Sequence, residues 1–143
     1  MTVYLLDANV LIALVDQEHS FASAARRWFN LTGSTGFATC PITENALVRI
    51  MSHKAYPSGA RPIGLLLEAL GDLKNRPGCR FWQDDISLTD TTLFRQDRFS
   101  KSADLTDSYL LALAVRNGGR LATFDRKLRG AAVVGVEGAI AYV

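Results

Sequence analysis

Cysteine and histidine are scarce in this sequence, and their scarcity excludes several kinds of site. The 143 residues include two cysteines, Cys40 and Cys79, which form no C-x-x-C pair. Neither a disulfide framework nor a zinc site is therefore expected. The two histidines, His19 and His53, lack the spacing of a metal-binding pair. Free thiols suit a reducing compartment, so we expect a cytoplasmic protein.

Long apolar runs and an excess charge of one sign are also missing. No apolar run approaches the roughly 20 residues of a membrane span, and no basic segment precedes the first apolar residues, so neither an anchor nor a signal peptide is expected. The 16 basic residues nearly balance 14 acidic ones, which leaves a net charge of +2. That total does not by itself indicate nucleic-acid binding. Glycine-rich phosphate-binding motifs and G-x-S-x-G are absent, which leaves nucleotide-cofactor and serine-hydrolase chemistry without support.

Short apolar runs alternate with amphipathic segments along the whole chain. The length and the 48% hydrophobic content suit one globular domain over residues 1–143. We expect α/β architecture, with a central, mainly parallel sheet of four to five short strands covered on both faces. The predicted strands are 3–6, 37–39, 79–82, 121–124 and an edge strand within 131–143; the predicted helices are 10–15, 22–29, 41–53, 63–73, 87–99 and 105–117.

Four carboxylates fall where such a fold places its ligands. Asp7 and Asp125 each follow a predicted strand, and ligands of open α/β sheets bind at the carboxyl ends of the strands. Glu44 and Asp107 each lie near the start of a helix, with apolar residues at i+3, i+4 and i+7. Helix dipoles and turns explain any one acid. Four acids brought together would repel one another unless a cation joins them, and their oxygens are the ligands that Mg²⁺ or Mn²⁺ prefers.

These four acids also carry a resemblance to a known family. Asp7 in LLDANV, Glu44 in PITENALVRI, Asp107 in LTDSYLLALA and Asp125 in LATFD resemble the acidic positions of the PIN-domain ribonucleases. The chain is most similar to the VapC toxins of bacterial toxin–antitoxin pairs, from Val3 to the tail. The resemblance implies a three-layer α/β/α sandwich and a Mg²⁺-dependent endoribonuclease, in which Mn²⁺ may substitute, acting on structured RNA such as tRNA or rRNA. It also implies a homodimer and a cognate VapB-like antitoxin that covers the site.

Further polar residues gain meaning from this resemblance. Asn9 and Thr123 match accessory positions that help to hold the site. Asp104 is an extra acid whose best local role is either to cap the following helix or to sit beside the substrate groove. Basic residues flank the last two acids along the chain, and beside metal-binding acids they are predicted to contact RNA phosphates. These predicted RNA-binding residues are Arg95, Arg98, Lys101, Arg126 and Lys127, with Arg129 following.

Two other functions remain open at this point. A PIN-like module could bind RNA or a partner without cleaving, although four intact acids argue against it. A phospho-acceptor receiver domain is also a small parallel α/β fold, with Asp7 as the acceptor. The acid pair near strand one and the lysine after the last strand, both typical of receivers, are not evident here. Finally, the helices near 10–15, 22–29 and 63–73 carry excess apolar surface, which predicts a groove for an amphipathic antitoxin segment.

Overall fold

Five short strands form one sheet in which every neighbouring pair is parallel. The computed structural model describes all 143 residues, and the order of the strands across the sheet is β3-β2-β1-β4-β5. The central strand β1 pairs with β2 on one side and with β4 on the other. The strands are β1 (Tyr4–Leu6), β2 (Phe37–Thr39), β3 (Cys79–Phe81), β4 (Arg120–Thr123) and β5 (Ile140–Tyr142). The predicted α/β class and parallel sheet are confirmed.

Successive side chains of each strand enter two separate hydrophobic cores. Leu5 and Leu121 point to the core built around the last helix, while Leu6 and Ala122 point to the core beneath the other helices. This alternation is the period of two that a pleated strand imposes. Both faces of the sheet are therefore covered at its centre, which explains why β1 is continuously apolar and why only the edge strand β3 carries an exposed charge in its middle, Arg80.

Five α-helices cover the sheet unequally. They are α1 (Ala8–Val15), α2 (Ala22–Leu31), α3 (Pro41–Met51), α4 (Ile63–Lys74) and α5 (Leu105–Arg116). The first four pack on one face, and α5 packs on the other together with the segments that precede and follow it. None of these helices is long and apolar enough to serve as a membrane span.

Local sequence explains where α3 and α5 begin and end. Pro41 occupies the first position of α3, where a missing N–H is harmless, and the Thr43 hydroxyl accepts a hydrogen bond from the Cys40 N–H at 3.1 Å. Helix α5 ends before Gly118, whose φ of +70° suits glycine. At Gly119 a side chain would collide with the carbonyl oxygen of Val3, so the chain enters β4 only through glycine.

The helix predicted over residues 87–99 is wrong. Only Gln96–Arg98 forms a short 3-10 turn, and Phe94 pairs with Val133 in an antiparallel bridge. The Asp90 side chain instead accepts hydrogen bonds from the N–H and the hydroxyl of Thr92. Such local bonds offer the backbone an alternative to a helix. The segment covers the α5 side of the sheet as an irregular strap that buries Phe94.

A buried acid fixes the end of α1 to the segment that follows α3. The Asp16 carboxylate accepts hydrogen bonds from the Tyr56 hydroxyl at 2.6 Å, the Ser58 hydroxyl at 2.7 Å and the Arg61 guanidinium at 3.1 Å. Burial alone would raise the pKa of Asp16, but these donors and the Arg61 charge hold it below its ordinary value. Asp16 therefore stays ionised and joins two elements distant in sequence.

Candidate active site

Asp7 lies at the carboxyl end of the central strand, between β1 and α1. Its side chain caps α1 by accepting a hydrogen bond from the Ala8 N–H at 2.7 Å. The other carboxylate oxygen accepts a bond from the Thr123 hydroxyl at 2.8 Å. Burial raises the pKa of Asp7, the two hydrogen bonds oppose that effect, and the charge of Asp125 adds to it. A buried carboxylate with a raised pKa favours a nearby cation.

The Thr123 hydroxyl connects three of the predicted site residues. It donates to Asp7 and accepts hydrogen bonds from the Asp125 N–H at 3.1 Å and from Asn9 Nδ2 at 3.5 Å. The Oδ1 oxygen of Asn9 is buried and has no hydrogen-bond partner. A buried acceptor left unpaired is costly. It therefore suits a site that receives a cation or a water molecule.

Asp107 faces the same edge from the first turn of α5. Burial, followed by the charges of Asp7, Asp125 and Asp104, raises its pKa to about 6. The helix register predicted from the sequence is correct, because the apolar residues Leu110 and Leu111 on the same face are buried. Asp107 is thus close enough to the other acids for their charges to raise its pKa.

A cavity of about 360 Å³ opens in front of Asp107 and Asp125, and Asp7 does not line it. Asp107 and Asp125 line it together with the exposed Asp104. Asp104 occupies the position before α5, but its side chain makes no capping hydrogen bond. The predicted capping role is therefore wrong, whereas the alternative place, beside the predicted groove, agrees with its position in the cavity lining. Basic side chains surround the acids: Arg98, Lys101, Lys127 and Arg129 all line the cavity.

Two of the predicted RNA-binding residues do not reach this cavity. Arg95 donates a hydrogen bond to the carbonyl oxygen of Val133 at 3.1 Å. Arg126 donates to the carbonyl oxygen of Val143 at 3.3 Å, and its guanidinium lies 5.4 Å from the centroid of the Tyr142 ring. Both side chains bind backbone carbonyl groups of this chain. Their positions near an acid in the sequence could not reveal that.

Glu44 is likewise separate from the three aspartates. It does not line the cavity, and the Lys74 ammonium lies 2.8 Å from its Oε2 oxygen. The same oxygen accepts a hydrogen bond from the Thr39 hydroxyl at 2.6 Å. Thr39 ends β2, beside the end of β1, so Glu44 sits one strand away from Asp7 along the same edge. Sequence reasoning missed Thr39 and Lys74; the position of Thr39 at a strand end, like that of Thr123, was an available signal.

The donor set suits a hard divalent cation. Asp7, Asp107 and Asp125 supply carboxylate oxygens, and the unpaired Asn9 oxygen lies beside Asp7. The charge of Asp125 raises the pKa of Asp7, and the charges of Asp7 and Asp125 raise that of Asp107. Oxygen ligands of this kind are those that Mg²⁺ and Mn²⁺ accept, usually with several waters retained. No three acidic, histidine or cysteine side chains converge closely enough to form a protein-only metal shell.

Comparisons with known proteins agree with this geometry. Residues 4–134 match the model of the PIN domain family. Ribonuclease VapC39 of Mycobacterium tuberculosis is 40% identical over 132 residues, which are 92% of this chain and 95% of that protein. Ribonuclease VapC44 of the same organism is 39% identical over 134 residues, which are 92% of each chain.

The fold has a counterpart among solved structures. A chain in the crystal structure of VapBC2 from Rickettsia felis, bound to a DNA fragment from their promoter, superposes with a TM-score of 0.54. The alignment covers 88% of this chain and 90% of that chain at 12% identity, so it supports the fold alone. With the match to the family model and the two relatives, the chain belongs to the PIN-domain family and, within it, to the VapC ribonucleases.

Proposed function

We propose that this protein is a metal-dependent endoribonuclease, the toxin of a toxin–antitoxin pair, which hydrolyses phosphodiester bonds in structured RNA such as tRNA or rRNA. The observation that carries the proposal is the group of Asp7, Asp107 and Asp125 at the edge of a basic cavity. The acids suit Mg²⁺ or Mn²⁺, and the basic side chains suit the phosphates of RNA. The names of the two ribonuclease relatives support the same activity.

Each part of the site has a definite role in this proposal. Arg98, Lys101 and Lys127 hold the phosphates on either side of the bond to be cleaved. Arg129 also lines the cavity, but its guanidinium donates to the Leu128 carbonyl oxygen and to the Tyr142 hydroxyl. Asp7 and Asp107 would hold Mg²⁺, with Asp125 joining them directly or through water, and Glu44 would complete the set on leaving Lys74. When bound, the metal acidifies water and stabilises charge on the phosphate. Thr123 keeps Asp7 oriented, and Asp107 gives up the proton it holds below about pH 6 before it can act as a ligand.

The exposed apolar surface supports an antitoxin partner. Ile63, Leu65 and Leu67 on α4 are 56%, 60% and 54% exposed. A groove of about 370 Å³ lies beside them between α1 and α4, lined by Leu14, Val15 and Leu73, and the groove and the exposed residues together form the proposed interface. An amphipathic segment of a VapB-like antitoxin would cover this groove, and one of its arginines would pair with the acids and displace the metal. We place the protein in the cytoplasm, as a homodimer.

Single-turnover cleavage of purified tRNA and rRNA tests the proposal. The wild-type protein should cleave with Mg²⁺ or Mn²⁺ and not with EDTA, and Asp7→Asn should remove cleavage by orders of magnitude. Asparagine keeps an oxygen that can accept from Ala8 or Thr123, so the variant should remain folded, as circular dichroism would show. RNA binding by the wild type without metal-dependent cleavage would favour a non-cleaving module. Incorporation of label from a phosphoryl donor at Asp7 would favour a receiver domain.

A further inference from the structure

Two independent contacts hold the Glu44 carboxylate: a hydrogen bond from Thr39 and an ion pair with Lys74. Thr39 is fully buried at the end of β2, and its hydroxyl fixes one oxygen of the Glu44 carboxylate at 2.6 Å. The Lys74 ammonium approaches that same oxygen at 2.8 Å. Lys74 lies in the last turn of α4 and also stands 4.6 Å from the centroid of the Phe81 ring. A ring and a carboxylate thus hold one ammonium at the carboxyl edge of the sheet.

Stability does not account for this arrangement. The Lys74 side chain is 33% exposed, and partly exposed ion pairs contribute little to folding. Their effect on local charge is larger. Without Lys74, the Glu44 carboxylate would have no basic partner at this edge of the sheet.

We propose that Lys74 is an internal counter-ion of Glu44, which occupies that carboxylate in the metal-free enzyme and transfers to an RNA phosphate when metal and substrate bind. Lys74 is then a positioning residue for Glu44 and a contact for the substrate. The inference rests on the proposed function, because it takes Glu44 as a metal ligand and RNA as the substrate.

The chemistry of lysine suits this exchange. Its ammonium is a compact charge on a flexible stem of four carbons, so it can move several ångströms without displacing α4. A divalent cation that draws Glu44 towards Asp7 leaves the ammonium without its partner. The phosphodiester that enters beside the metal supplies a replacement anion. Lys74 would thus weaken metal binding in the absence of RNA and strengthen the complex in its presence.

Mn²⁺ titration of the protein without RNA tests the first half of the exchange. Lys74→Met should bind Mn²⁺ about three- to tenfold more tightly than wild type, because a nearby positive charge has been removed. Lys74→Arg keeps the charge and should bind Mn²⁺ like wild type. Lys54→Met removes an exposed lysine with no ion-pair partner and serves as the matched control. In a Glu44→Gln background, adding Lys74→Met should change the affinity much less.

Binding of a short structured RNA, with Ca²⁺ in place of Mg²⁺, tests the second half. In Ca²⁺, Lys74→Met should bind this RNA about three- to tenfold more weakly than Lys54→Met, with a smaller salt dependence, since one phosphate contact is lost. Thermal midpoints should agree within a few degrees across the set, and Lys74→Gln replaces Lys74→Met if the latter does not fold.

Weaker or unchanged Mn²⁺ affinity in Lys74→Met would overturn the counter-ion role, and unchanged RNA affinity would overturn the transfer to phosphate. Neither measurement depends on cleavage. A wild type that fails to cleave RNA while Lys74→Met still tightens Mn²⁺ binding would therefore refute the proposed function and leave the counter-ion role standing.

Discussion

The hydroxyl of Thr123 bonds to Asp7, Asn9 and Asp125 and has no substitute among its neighbours. Thr123→Val keeps the shape of the side chain but leaves these three groups without a partner in a buried position. We expect a loss of about 1 to 3 kcal/mol in the free energy of unfolding, together with weaker Mn²⁺ binding, measured by urea denaturation and titration. Thr123→Ser should restore most of both. A valine variant as stable as wild type would show that water replaces the hydroxyl.

Asp107 makes the stability of the metal-free protein depend on pH. Its pKa is about 6 in the folded protein against an ordinary value of 3.8, so the folded state holds the proton more tightly than the unfolded chain. The contribution of Asp107 to the free energy of unfolding therefore rises as the pH falls from above 6 to about 4. Asp107→Asn should remove this dependence and add about 1 to 2 kcal/mol at pH 7, after allowance for solvent screening.

Thermal midpoints of wild type and Asp107→Asn in EDTA, between pH 4 and pH 8, measure that difference. Asp104→Asn is the control: Asp104 is exposed and makes no capping bond, so its midpoint should follow that of wild type. Cleavage should be lost in Asp107→Asn and largely kept in Asp104→Asn. The opposite ranking of the two variants in cleavage would mean that Asp104 is the ligand.

The sequence predicts where the four acids lie better than it predicts which side chains they contact. Asp7 and Asp125 follow parallel strands, and the apolar residues after Asp107 set its face, so chain order alone indicates that these three meet. The register also places Glu44 correctly, because Leu47 and Met51 are buried on its face. What sequence could not show is the ammonium of Lys74, thirty positions later, at the same carboxylate. A tertiary ion pair leaves no periodic signal.

The hydrogen bonds of Asp16 join the end of α1 to the segment that follows α3, and they are the clearest tertiary contact between such elements. Asp16→Asn removes the charge that Arg61 and the two hydroxyl donors stabilise, and we expect a loss of about 1 to 3 kcal/mol in the free energy of unfolding. Glu18→Gln is the matched control, since its side chain is largely exposed and its oxygen lies 3.7 Å from Arg61. Equal stability of the two variants would contradict this view.

The same network has its own pH dependence, opposite in sign to that of Asp107. The pKa of Asp16 is below its ordinary value in the folded protein. Its contribution to stability is therefore complete above the ordinary pKa of an aspartate and is lost as the pH falls through the folded value. Denaturant unfolding of wild type and Asp16→Asn should converge in strongly acidic solution and diverge above about pH 4.

The helices whose apolar residues recur at helical spacing were predictable from the sequence. The segment 87–99, which lacks that spacing, was not. The helices α3, α4 and α5 begin where the sequence analysis placed them and end within two residues of the predicted ends, because apolar spacing, Pro41 and Gly118 mark their limits. The segment 87–99 has few apolar residues, and its fate depends on a bridge from Phe94 to Val133. Long-range pairing of this kind overrides local propensity.

For the molecule as a whole, a substitution on the exposed face of α4 should weaken assembly with the antitoxin without lowering the stability of the fold. Leu67→Ser removes an exposed apolar side chain, so the thermal midpoint should change little. Binding of a VapB-like antitoxin, measured by calorimetry, should weaken about tenfold if Leu67 fills part of the proposed interface. Leu88→Ser, on the strap that covers the opposite, α5 side of the sheet, is the control and should bind normally. Equal affinity of both variants would place the antitoxin elsewhere.

The bond from Thr123 to Asp7 joins residues 116 positions apart, and the central strand β1 needs β4 as its neighbour. During translation the N-terminal strand, α1 and the edge of the sheet at β2 can form early, but the acids cannot meet until Arg120–Thr123 has left the ribosome. The nascent chain would thus be harmless to the RNAs around it until synthesis is almost finished. Any product truncated before β4 would lack a complete acidic site, which gives a cell a margin of safety while it makes the toxin.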